Sequence, residues 1–239
     1  MDIKGKRVFI TGAARRLGRA MAVHLAAKGC DIVAHYRHSR DDAESLKSET
    51  GCGLFQCDFE NIALDDLKKR LNNEVGDVSI LINNASSFGR SNWDAISEEF
   101  WNREISVNLK VPFFLMQHFG SIMKNAGEGK IVNMADIAAD KAYLNYLPYS
   151  VAKAGLVSLT RAMARALSPE VQVNAIAPGT ILFVENMSEE AKQKLIKNIP
   201  AHRTGAVAEL LETIDFLISS VDYITGQTIV LDGGRSLTW

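Results

Sequence analysis

The chain has 239 residues, 47% of them apolar and 23% charged, with a formal net charge of -1. This is the composition of a soluble globular protein, long enough for a sizeable core in one large α/β domain or two small ones. The near-neutral balance leaves no electrostatic footprint for nucleic acid or an anionic membrane. Cys30, Cys52 and Cys57 form neither a CxxC nor a metal-ligand pattern, which points to reduced thiols in a cytoplasm and to no bound metal.

The opening MDIKGKRVFITG carries only a short apolar run, so neither a signal peptide nor a membrane span is expected there. RVFIT (7–11) reads as a buried strand. Leu17, Ala20, Met21, His24 and Leu25 then mark one face of a helix that stops at Gly29. DIVAHY (31–36) is a second strand and DDAESLKSE (41–49) a polar helix. GLFQC (53–57) is a third strand, followed by a helix over 62–74, and VSILINNA (78–85) a fourth. A long helical region spans about 98–125, with Ser97 as its N-cap. KIVNMA (130–135) is the fifth strand, 149–167 a strong helix, VQVNAIA (171–177) the sixth strand. A helix over about 206–219 and a seventh strand, QTIVLD (227–232), complete the chain.

Alternating near-continuous apolar strands and helices predict a parallel sheet covered on both faces. The region 179–205 interrupts the pattern and contains the amphipathic piece SEEAKQKLIKNI. Ligands of such sheets bind beyond the carboxyl ends of the strands, so this excursion fits a lid, and a surface insertion equally well.

The first strand runs into T-G-A-A-R-R-L-G (11–18). Gly12 permits a tight turn, Gly18 lets helix and strand pack closely, and the helix N-terminus offers free N–H groups to a pyrophosphate. A glycine pair alone is weak evidence, but the strand-turn-helix context strengthens it. Arg16, between the two glycines, would face the ligand and neutralise phosphate charge. An Asp or Glu at the end of the second strand is the usual mark of NAD binding. Here Arg37, His38, Ser39 and Arg40 stand in its place, a basic pocket suited to the 2′-phosphate of NADP(H).

Tyr149 and Lys153 are spaced to share one helix face. A cation beside a phenol stabilises phenolate and lowers its pKa toward the range for proton transfer. Asp136 lies thirteen residues upstream of the tyrosine.

With these motifs the chain resembles the short-chain dehydrogenase/reductases over essentially its full length. The likeness rests on the glycine turn, Asp58 after the third strand, N-N-A at 83–85, Asn108 in SVNLKVPF, YSVAK at 149–153, N-A-I-A-P-G at 174–179 and YITGQTIVLDGG at 223–234. The resemblance implies one Rossmann-type domain over 1–239, doubly wound, with a seven-stranded parallel sheet. It implies hydride transfer from a nicotinamide and a homotetramer joined through the helices at about 98–125 and 149–167. Tyr149 would be the proton donor, Lys153 would bind the nicotinamide ribose, and Asn108 would support a water-linked relay. Asp58 would hold the adenine, and Asn84 and Ala85 would line the cofactor. Gly12, Arg16, Leu17 and Gly18 would do so from the first turn, and Tyr36, Arg37, His38 and Ser39 from the second strand. Ser86, Pro178, Gly179 and Ile181 complete that set.

Most of the family has glycine where Arg16 stands and serine where Asp136 stands. The pteridine reductase branch resembles this chain at both positions. It also resembles N-A-S-S-F at 84–88, H-Y-x-x-S at 35–39, P-G-x-x-x-x-V-x-x-M at 178–187 and D-G-G-x-S-L-T at 232–238. By that likeness Phe88 would stack on a pterin, Ser86 and Arg16 would contact pterin or phosphate, and Asp136 would join Tyr149 in protonation. Leu182 and Phe183 would wall the substrate site. The order Arg37-His38 departs from the His-Arg usual in that branch and leaves the 2′-phosphate contacts open.

The chemistry agrees. A ketone under reduction needs a donor at its developing alkoxide, and an ionised carboxylate would repel that oxygen. Reduction of a C=N bond places a proton on nitrogen, which a carboxyl group can relay. The expected activity is therefore NADPH-dependent pteridine reduction. The alternatives are a carbonyl reductase acting, for example, on a 3-oxoacyl thioester, and an NADP(H) sensor without turnover. A sensor would have no need for Tyr149, Lys153 and Asn108 together. His24 and His118 read as packed residues and His202 as solvated. Trp93 would border the pocket and Trp239 would reach a neighbouring subunit.

Overall fold

The computed structural model describes residues 1–238; the expectation for Trp239 lies outside them. Seven strands form one sheet: β1 (Arg7–Ile10), β2 (Asp31–Tyr36), β3 (Gly53–Gln56), β4 (Ile80–Asn83), β5 (Gly129–Met134), β6 (Val171–Pro178) and β7 (Thr228–Leu231). Their spatial order is β3-β2-β1-β4-β5-β6-β7 and every pairing is parallel. The order reverses at β1, where helices pass to the opposite face, and a crevice opens there beyond the strand ends.

Side chains alternate across a strand, so each apolar run feeds both faces. Val8, Ile10, Ile80 and Ile82 point to a core shared with Met21 and Leu25 of α1 (Arg16–Ala27) and Leu46 of α2 (Arg40–Thr50). Phe9, Leu81 and Ile131 point the other way. There they meet Leu67 of α3 (Leu64–Arg70), and Leu115 and Phe119 of the helix Val111–Ala126.

The long helix expected over 98–125 is α4 (Glu98–Ile105), a wider π turn at Ser106–Lys110, and α5 (Val111–Ala126). Ser97 caps it as expected, its hydroxyl accepting from Phe100 N at 3.1 Å. A short helix missed in the sequence, α6 (Ala138–Lys141), precedes α7 (Leu147–Leu167), which starts two residues early with Pro148 in its first turn. Asn133 accepts from Asn83 Nδ2 at 2.8 Å and donates to Thr160 Oγ1 at 2.9 Å, tying β4, β5 and α7 together in the interior. The amphipathic piece of 179–205 is α8 (Glu189–Lys197), capped by Ser188, and α9 (Val207–Asp215) follows. His24 is half-buried and bonds Asp215 at 2.8 Å, joining α1 to α9. His202 is exposed. No helix among the described residues is long and apolar enough to cross a membrane.

Candidate active site

At the carboxyl end of β1, Gly12 adopts φ +64, and a Cβ there would lie 2.9 Å from Ala85 Cα. At Gly18 a Cβ would lie 2.1 Å from Gly12 O. Both positions therefore exclude a side chain, as the turn requires. Asn84 Nδ2 donates to Thr11 O at 2.9 Å and Gly12 O at 3.1 Å, while Thr11 Oγ1 accepts from Asn84 N and Ala85 N, each at 2.8 Å. The Asn84 side chain is thus spent on holding the turn.

His35 supports the turn from β2, a role that no sequence pattern marks. Its Nδ1 accepts from Gly12 N at 3.0 Å, which leaves Nε2 to donate to Cys57 O at 3.0 Å. The ring stacks on Phe59 with centroids 3.9 Å apart. Burial is the main force lowering its pKa, to about 4, so the imidazole is neutral.

A cleft of about 460 Å³ opens above this turn. Gly12, Arg16, Leu17 and Gly18 line it from the turn, and Tyr36, Arg37, His38 and Ser39 from the end of β2. Asp58, Asn84, Ala85 and Ser86 close it. The residues fit a phosphorylated dinucleotide. The first turn of α1 has neither a side-chain cap nor an acidic residue, leaving its N–H groups to an anion. Arg16 holds its backbone at φ +53, a left-handed conformation that disfavours side chains and suits glycine. Its guanidinium reaches Phe183 O at 2.9 Å and approaches Glu185 at 3.9 Å.

The expected cofactor residues do not all line this cleft. Ile181 is 6% exposed and packs in the core with Ile176 and Leu210, and it does not line the cleft. The buried β6 terminus carries Pro178, and Gly179 lies against Asp232, where a Cβ would lie 2.8 Å from Asp232 Cβ. Asp58 accepts from Glu60 N at 3.1 Å and Asn61 Nδ2 at 2.8 Å, so its carboxylate organises its own turn.

Beside the cleft, Tyr149 donates to Asp136 Oδ2 at 2.9 Å, and Ala138 N donates to Oδ1 at 2.7 Å. Both side chains are buried or half-buried. Lys153, 2% exposed, donates to Met134 O at 2.7 Å and lies 5.5 Å from the Tyr149 ring. The expected lowering of the phenol pKa is not what this geometry produces. Burial first, then the Asp136 charge, push Tyr149 well above its ordinary value, with the Ser86 hydroxyl opposing. Lys153 does little to offset this burial, because its ammonium is turned to the Met134 carbonyl while the Asp136 carboxylate takes the phenol hydrogen bond. Burial raises Asp136 too, against its two hydrogen bonds and the charges of Lys153 and Arg235. Lys153 is lowered to about 8, burial outweighing Asp136 and Glu104.

Asn108 sits in the π turn, a distortion often found at functional sites. It accepts from Ser86 Oγ at 2.8 Å and donates to Ser87 O at 2.9 Å. Its side chain therefore fixes the 84–88 loop. Glu104, 0% exposed, accepts from Ser87 Oγ and lies 3.7 Å from Arg103 Nε. Phe88, on that loop, is 45% exposed and stacks on Tyr146 at 4.2 Å, with its edge toward Tyr149 at 4.8 Å. Leu182 is exposed and Phe183 half-buried. Trp93 is 68% exposed. The sequence reading missed Tyr146, Glu104 and Arg235. Arg235 donates to Thr180 Oγ1 at 2.7 Å and lies over Tyr143 at 5.7 Å.

Comparisons with known proteins agree with this architecture. A family model, enoyl-(acyl carrier protein) reductase, matches residues 12–236. The 3-oxoacyl-(acyl-carrier-protein) reductase FabG of Staphylococcus epidermidis is 33% identical over 96% of this chain and 98% of its own length. Acetoacetyl-CoA reductase of Rhizobium meliloti is 32% identical over 95% of this chain and 97% of its own length. The crystal structure of FolM alternative dihydrofolate reductase 1 from Brucella canis, complexed with NADP, superposes with a TM-score of 0.91 at 30% identity. That match covers 100% of this chain and 96% of the other. With its glycine turn, its Tyr149–Lys153 pair and these matches, the chain belongs to the short-chain dehydrogenase/reductase family.

Proposed function

We propose that this protein is an NADPH-dependent reductase of a pteridine ring, such as a dihydropterin or a dihydrofolate-like compound. The observation that carries the reading is the 2.9 Å hydrogen bond from Tyr149 to Asp136, a carboxylate where a ketone reductase needs a hydroxyl. The likeness to FolM alternative dihydrofolate reductases from Brucella canis and Brucella suis, both complexed with NADP, supports substrate class and cofactor together.

The turn at 11–18 and the end of β2 would hold the phosphates, and Lys153 the nicotinamide ribose. Bound NADPH supplies a hydride for the ring carbon. Tyr149 holds the proton to be delivered, and its raised pKa keeps the phenol protonated, as a donor requires. Asp136 takes the phenol hydrogen bond at rest and would pass a proton to the ring nitrogen through Tyr149. Phe88 would stack on the flat heterocycle with the face that Tyr146 leaves free. Leu182 and Phe183 would wall the pocket. Asn108 supports the site by fixing Ser86 and the Phe88 loop.

Residues 179–205 act in this reading as a lid, which the Arg16 contact to Phe183 O draws toward the phosphate turn. The whole chain is one dinucleotide-binding unit. It assembles as a homotetramer through α4–α5 and α7, which expose Trp101 and Val151.

The second reading, reduction of a 3-oxoacyl thioester, is favoured by the FabG relatives. An assay of NADPH oxidation with dihydrobiopterin, dihydrofolate and an acetoacetyl thioester separates them. Turnover is expected with a pterin; turnover with the thioester alone would overturn the pteridine reading. Tyr149→Phe should reduce turnover by roughly 10²–10⁴-fold and leave NADPH binding intact. Asp136→Ser should lower pterin reduction, and unchanged reduction would remove the proposed relay.

A further inference from the structure

The end of β2 supplies Arg37 to the cleft, and the structure gives that cation an internal partner. Arg37 Nη1 donates directly to Glu60 Oε1. By contrast, Arg15 and Arg16, the cleft arginines of the first turn, lie 3.9 Å from Asp42 and Glu185. The Arg37 contact is built by the β3 loop. Asp58 Oδ1 accepts from Glu60 N at 3.1 Å and its Oδ2 from Asn61 Nδ2 at 2.8 Å, a tight acidic turn that aims Glu60 back at β2. Gln56 Nε2 donates to Arg37 O at 2.9 Å, so the Arg37 backbone is held while its guanidinium meets the carboxylate. Glu60 itself lines the cleft.

We propose that Glu60 is a specificity-determining residue of the dinucleotide site, an internal carboxylate that occupies Arg37 and competes with the 2′-phosphate for it. This rests on the NADP(H) reading above. An arginine fork binds carboxylate and phosphate in the same way, so the two are rivals for one donor set. A 2′-phosphate carries more than one negative charge and would also be repelled by Glu60 at close range. A dinucleotide without that phosphate leaves the Arg37–Glu60 pair undisturbed. Glu60 therefore lowers affinity for NADPH and leaves NADH alone, narrowing the gap between the two cofactors. The pair is partly exposed, with side chains 42% and 21% accessible, so its hold on Arg37 is modest.

The test is direct titration of the ligand-free protein with NADPH and with NADH, followed by nucleotide fluorescence. Glu60→Gln and Glu60→Ala should bind NADPH roughly two- to fivefold more tightly, with NADH affinity unchanged. The gain should shrink as salt is raised, because it is electrostatic. Arg37→Met should remove most of the preference for NADPH, and Glu60→Gln should add nothing in that background. Weaker NADPH binding by both Glu60 variants would show that the carboxylate orients Arg37 instead, and would overturn the proposal. Equal gains for NADPH and NADH would overturn it as well. If Arg37→Met loses the preference while the Glu60 variants change nothing, the Glu60 role alone fails. If Arg37→Met leaves the preference intact, the placement of the 2′-phosphate fails with it.

Discussion

The chemistry of the site turns on which of two neighbours holds each proton. Tyr149 and Asp136 are both pushed toward their protonated forms by burial, while Lys153 is lowered to about 8 by the same cause. A lysine keeps its charge below its pKa and loses it above. The ammonium proposed to hold the ribose is therefore present at neutral pH and lost as pH rises through about 8. Activity measured as kcat/KM should fall on that alkaline limb. Asp136 and Glu104 are the carboxylates that support the charge, Asp136 the more strongly. In Asp136→Asn the limb should therefore move to lower pH, beside the loss of rate; a limb that stays in place would show that Lys153 does not set it. The pairing of Tyr149 with Asp136 was legible in the sequence because the motif fixes their neighbourhood. Glu104 was not: in a run such as WNREIS a carboxylate reads as one more solvated helix charge. Only the π turn and the 84–88 loop, closing over it, make it a buried acceptor. Arg235 and Tyr146 were hidden for a similar reason, since their roles depend on loops that meet only in space.

Among the elements, the glycine turn at 11–18 is held from the neighbouring strand β2 as well as by its own glycines. Its first N–H donates to an unprotonated ring nitrogen of His35, so a proton on that nitrogen would set two donors face to face. The folded pKa of about 4 lies below the ordinary 6.5, so the unfolded chain binds this proton first as pH falls. Stability contributed here is complete above about 6.5 and is lost as pH drops toward 4. Thermal or urea unfolding between those limits should show a loss on the order of 2–3 kcal/mol at the acid end. His35→Gln, which cannot titrate, should flatten that slope; an unchanged slope would place the acid sensitivity elsewhere. The strands themselves were readable because apolar runs in a doubly covered sheet have no polar face to confuse them. Helix interiors were less so. The π turns in 71–75, 106–110 and 216–220 keep an apolar pattern compatible with a plain helix, and the four residues of α6 are too few to show any period.

At the scale of the molecule, the seven-stranded parallel sheet and its covering helices follow from the alternation along the chain. The meeting of residues as distant as Arg16 and Phe183 does not, because loop paths carry no periodic signal. β7 illustrates how far the last element matters. It covers β6 over Ala175–Pro178, and the chain beyond it supplies Asp232 against Gly179 and Arg235 to Thr180. Removing residues 227–238 would leave a buried strand as a bare edge. We expect that truncation to abolish a cooperative thermal transition monitored by circular dichroism; a normal melt would show β7 to be dispensable. The parallel sheet also divides the molecule's two rims. The glycine turn at 11–18, the Arg37 and Glu60 loops, the Phe88 loop and Asp136 all leave the carboxyl ends of strands. The opposite rim holds turns such as Gly51 and Gly127, where a Cβ would meet nothing within 4 Å. For anyone wishing to graft a peptide or a fluorescent domain into this chain, that rim is the permissive one. An insertion at 127 would leave every residue of the candidate site in place, whereas the same length at 137 would separate Asp136 from Tyr149.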